Sequence, residues 1–185
     1  MFRESLTASA RPLAIAALFA LGACQSPTPP AALEDQDPEE VEELHRSLGE
    51  YASTVDGLLQ ETRQGENVSS FALGMLSYSI LTTVSSSDRH LYEYFCADGQ
   101  GVEGYLKTRF QPHPQLELAA LDQMRSEGNT ALRTSARYTL EALTHIPHSN
   151  DPPDVQQRKR DELAAALKHT ETSLNEAAGG GAVHY

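Results

Sequence analysis

The side chains able to do covalent or proton chemistry are few, and they stand apart from one another. There are two cysteines, Cys24 and Cys96. Cys24 ends the tetrad Leu21-Gly22-Ala23-Cys24, where small side chains precede a thiol at the close of an apolar run. That pattern suits peptide cleavage between Ala23 and Cys24 and modification of the thiol. With Cys24 consumed in this way, Cys96 has no disulfide partner in the chain, and its place after Phe95 is that of a small core residue. His145 and His148 stand three apart, but Pro147 breaks the helix that would align their rings, so they are expected as surface histidines at a helix end. His90 and Glu93, near Asp88, are the other conceivable acid–base group and are expected on a solvated helix start. Asn67-Val68-Ser69 has the spacing of a glycosylation sequon and is expected to cap a helix. No Gly-x-Ser-x-Gly elbow, phosphate-cradling glycine loop or paired-histidine metalloprotease helix occurs. The expectation is a protein without catalytic residues, metal or cofactor, and not an enzyme.

The residues before Cys24 give the tetrad its meaning. Arg3 and Arg11 supply a positive start, and residues 12–23 form an apolar run. A membrane span needs about 20 such residues, so this run is short for a permanent anchor and suits a signal peptide. The tetrad resembles the lipobox of bacterial lipoproteins. The resemblance implies that residues 1–23 are a signal peptide and that Cys24 carries the lipid, palmitate included. Gln25 is not the Asp that in many such bacteria retains a lipoprotein in the inner membrane, which implies the outer membrane, facing the periplasm. Residues 24–37, with Pro27, Pro29 and Pro30, are expected as a flexible tether.

Charge narrows the partners. Removing Arg3, Arg11 and Glu4 from 14 basic and 26 acidic residues leaves 12 and 25, a net charge of −13. That charge repels phosphate backbones and anionic headgroups, so no nucleic-acid partner is expected, and membrane contact is expected through the lipid alone.

The rest of the chain, residues 38–178, is expected to be an all-α domain, a compact bundle of about six or seven helices, with a disordered tail over 179–185. Asp37-Pro38-Glu39-Glu40 reads as a helix start, and Val41, Leu44, Leu48, Tyr51, Val55 and Leu58 form one apolar stripe that ends at Gly65. The stripe packs on its own domain or, at Leu44, Leu48, Tyr51 and Val55, serves as an interface for another protein. A second helix over about 68–84 is apolar around most of its circumference and is expected at the centre. Helices follow around Leu91–Phe95, Val102–Phe110, Leu116–Glu127 and Leu132–Ile146, and a last one carries Val155, Leu163, Leu167 and Leu174 on one side.

Phe71-Ala-Leu-Gly74, Tyr94-Phe-Cys96, Val102-Glu-Gly-Tyr-Leu106, His113-Pro114 and Ala136-Arg-Tyr-Thr-Leu-Glu-Ala-Leu143 together resemble the Rap/Tai family over about residues 67–147. Those small helical periplasmic proteins neutralise secreted antibacterial effectors. The chain departs from the family in lacking its other cysteines, in carrying Pro147-His148 where the family closes on Pro-Cys, and in a longer spacing after His113-Pro114. The resemblance implies a periplasmic immunity protein. The residues themselves point first to a lipid-anchored, non-enzymatic binding or scaffolding subunit with a protein partner.

Overall fold

Pro38 opens the first helix, α1 (Pro38–Arg63), where a missing N–H costs nothing, and Glu39 and Glu40 complement the positive helix end. A computed structural model of the chain describes residues 38–87, 114–123 and 129–179. The expectations for the signal peptide, for Ala23 and Cys24, for the tether, for His90, Glu93 and Cys96, and for helices around Leu91–Phe95 and Val102–Phe110 lie outside those residues. Five helices and no strand occur among the described residues, which makes that part of the molecule all-α.

The stop of α1 is a backbone motif. The N–H of Glu66 donates to the Glu61 carbonyl at 3.0 Å, and that of Gly65 donates to Thr62 at 3.1 Å. This crossed pair requires a left-handed residue, and Gly65 supplies it at φ 77°. Four residues on, Ser69 caps α2 (Ser70–Ser87): its hydroxyl accepts from the Ala72 N–H at 3.3 Å. The sequon is thus used as a cap, as expected, through its serine.

In α1, Leu48, Val55, Leu58, Leu59 and Thr62 are buried, while Val41, at the start of the expected stripe, is 36% exposed. On α2, Ala72, Leu73, Leu76, Tyr78, Ile80, Leu81 and Val84 are buried. The exception is Phe71, expected on the apolar circumference but 69% exposed, because it lies on the first turn with Ser69 and Ser70, facing solvent. The Tyr51 hydroxyl lies 3.2 Å from Thr83 Oγ1, pairing the middle of α1 with late α2 across the Gly65 turn, so the two helices form an antiparallel hairpin.

A helix opening on a proline, α3 (Pro114–Gln123), buries Leu121 and Glu117 against its neighbours. Asn129 then caps α4 (Thr130–Thr144), its carbonyl oxygen accepting from the Leu132 N–H at 3.0 Å. His145 closes α4 two residues before the expected end, since Pro147 excludes the preceding residue from helical geometry. The last helix, α5 (Pro153–Gly179), continues one residue into the expected tail.

Among the described residues α5 packs most extensively on α4 and α1, and α4 packs on α5, α2 and α3. α2 is the most heavily buried of the described helices, as its all-round apolarity predicts. On α5 the buried residues are Leu163, Ala166, Leu167, Thr170, Ser173, Leu174 and Ala177. Four of these are small, so neighbouring backbones can come close, and the leucines between them fill the remaining space.

Candidate functional site

Each residue singled out for possible recognition on α1 has a definite place. Leu48 is 1% exposed and Val55 0%, while Leu44 and Tyr51 are partly buried and pack against the same core. The interface reading therefore fails for Leu48 and Val55. A side chain already enclosed by its own domain cannot be offered to another without unfolding part of it. The alternative within that expectation, a stripe docking on its own domain, describes what the structure does.

Tyr51 shows how that face is finished. Thr83 Oγ1 lies 3.0 Å from the Ser79 carbonyl and 3.2 Å from the Tyr51 hydroxyl, and either hydroxyl can donate in the Tyr51–Thr83 pair. Burial pushes the Tyr51 hydroxyl above its ordinary value of 10.0, an effect that the Thr83 hydrogen bond opposes and the nearby Glu50 charge reinforces.

The histidine pair separates. His145 Nδ1 lies 3.1 Å from Glu162 Oε2, which ties the end of α4 to α5. His148 is exposed, and its backbone N–H donates to Asp151 Oδ2 at 2.8 Å. Lys159 Nζ reaches the same oxygen at 2.8 Å, and the Gln156 side chain donates to the Asp151 carbonyl at 2.8 Å. The Lys159 and His148 hydrogen bonds hold the Asp151 carboxyl below its ordinary range. These contacts fasten the turn between α4 and α5. Among the described residues, no group of three or more His, Cys, Asp or Glu side chains is placed to hold a metal ion. Nor, among them, is any helix long and apolar enough to cross a membrane.

Sequence reading overlooked a buried hydroxyl seam. Ser77 on α2, Ser135 and Thr139 on α4, and Thr170 and Ser173 on α5 are all buried. Ser77 Oγ lies 2.9 Å from the Leu73 carbonyl and 3.4 Å from that of Thr139. Thr139 donates to the Ser135 carbonyl at 2.7 Å and lies 3.5 Å from Thr170 Oγ1, which donates to Ala166 at 3.0 Å. Hydroxyls whose protons go to their own helix carbonyls are satisfied packing groups, not nucleophiles. A signal for them existed: residues 166, 170, 173 and 177 are small and follow helical spacing, as are 135, 139 and 142.

The most exposed large apolar side chain of the described residues, Phe71, stands at the tip of the α1–α2 hairpin. Residues 63–67 and 69–71 are exposed, and Val68 between them is buried. The Gly65 motif, the Ser69 cap and the Val68 anchor order this tip, and Phe71 projects from it. An ordered loop that presents an aromatic ring loses little conformational freedom when a partner covers the ring. It is the candidate functional surface of the described residues. Comparison with known proteins returns no family model, no curated protein and no solved structure that matches this chain.

Proposed function

We propose that the chain is a lipid-anchored envelope protein, attached through Cys24 to the outer membrane and facing the periplasm. Its helical domain acts as a non-enzymatic binding or scaffolding subunit. The observation that carries the binding reading is the solvent-facing Phe71 on an ordered hairpin tip. The lipobox resemblance of residues 21–24 carries the anchor. The two fit one another in space. α1 begins 14 residues after Cys24, and an extended proline-rich stretch of that length reaches about 43 Å. The 26 residues of α1 add about 39 Å of helix between its start and the tip. A tip at the far end of that helix is presented away from the bilayer, and the net charge of −13 disfavours collapse onto anionic headgroups.

Two substitutions in the lipidated protein test the two halves of this reading. Cys24→Ser is expected to abolish uptake of labelled palmitate and to move the protein out of the outer-membrane fraction. Equal labelling of variant and wild type sinks the anchor. Phe71→Ala is expected to leave the melting temperature within the equivalent of about 0.5 kcal/mol, as for a surface substitution. It should reduce recovery of a protein cross-linked from position 70 by tenfold or more, and equal recovery sinks the tip as the binding surface.

The immunity reading has one observation in its favour: Phe71, which is exposed, lies in the Phe71-Ala-Leu-Gly74 stretch that carries the family resemblance. On that reading the tip covers an effector enzyme. Co-expression with a toxin encoded beside the gene should restore growth, and Phe71→Ala should remove the protection. Growth arrest by that toxin unaffected by the wild-type protein rejects immunity and leaves the scaffolding reading standing.

A further inference from the structure

We draw no further inference here: the strongest candidate, the α4–α5 surface where Tyr138 stacks on His169 at 4.6 Å between ring centroids and His145 pairs with Glu162 at 3.1 Å, consists of contacts closed within the two helices, and nothing in the structure shows a ligand or partner that they would take.

Discussion

α2 and α5 are both heavily packed, yet by opposite means. α2 is apolar around most of its circumference and carries neither an acidic residue in its first turn nor a basic one in its last. α5 is mostly polar: Arg158, Lys159, Arg160, Asp161 and Glu162 run consecutively through its first half. Even so α5 joins α1 to α4, while α2 rests mainly on α4. Hydrophobicity summed over a helix therefore tells how much of it avoids water. Which helices it touches depends on where small side chains allow close approach, and on α5 these are Ala166, Thr170, Ser173 and Ala177. A hydroxyl such as that of Thr170 can fill that role in a dry interface because it returns its proton to the Ala166 carbonyl of its own helix.

The contrast is open to direct attack, and the largest effect comes from deleting a core leucine. Leu167→Ala on α5 and Leu76→Ala on α2 each remove a buried side chain, and each should cost about 2–5 kcal/mol in chemical denaturation. The α5 variant should lose the α1 and α4 contacts together, seen as faster amide exchange in both helices. Exchange confined to α5 in that variant, or spread across α1 from the α2 variant instead, overturns the placement of α5 between α1 and α4.

Next comes enlargement in place of truncation. Ala166→Leu inserts three heavy atoms where α5 meets its neighbours and should destabilise by about 1–3 kcal/mol. A gain in stability would show slack at the seam, and close approach could not then be the reason that α5 sits between two partners.

Tyr51→Phe tests the α1–α2 contact and should cost about 0.5–1.5 kcal/mol by removing one hydrogen bond to Thr83. It also has a pH signature. The folded state holds the Tyr51 proton more tightly than the unfolded chain, whose value is near 10.0. The resulting stabilisation is whole below about pH 10 and is lost as pH rises through the raised folded value. The phenylalanine variant should therefore show a shallower loss of stability above pH 10 than the wild type. Identical alkaline slopes would mean that the hydroxyl is not buried as described.

The smallest effect is expected at the surface turn beyond α4. Asp151 is held below its ordinary value, so its contribution is present above about pH 4 and disappears as pH falls through the lower folded value. Asp151→Asn should lower the melting temperature by a few degrees at most at neutral pH. The difference from wild type should shrink as pH falls below about 4, and a difference that did not change with pH would have to come from the amide rather than from the lost charge.

Much of this fold was legible because helices declare themselves locally. The stop of α1 at Gly65, the cap at Ser69, the break at Asn129 and the proline opening α1 depend only on neighbours within a turn or two. The 3-4 repeat of Leu44, Leu48, Tyr51 and Val55 established that α1 has one apolar face. It could not tell whether that face meets its own domain or another protein, since both surroundings reward the same residues. Burial of Leu48 and Val55 decided it. Phe71 was misjudged for the complementary reason: a helix apolar all round gives no sign of which residue lies on the turn left uncovered.

By itself the sequence determined that the described part is helical, where its helices stop, and that a thiol at Cys24 follows a short apolar run and small residues. Those properties are set by covalent neighbours, by backbone geometry and by side chains a few residues apart. Tertiary structure alone decided that α5 lies between α1 and α4, that the α1 stripe is enclosed, and that Phe71 projects from the hairpin tip. Each of these depends on distances between residues remote along the chain, such as Tyr51 and Thr83 or Thr139 and Thr170. Such distances follow from mutual packing of whole helix faces, for which a periodic pattern supplies the surfaces but not the pairing.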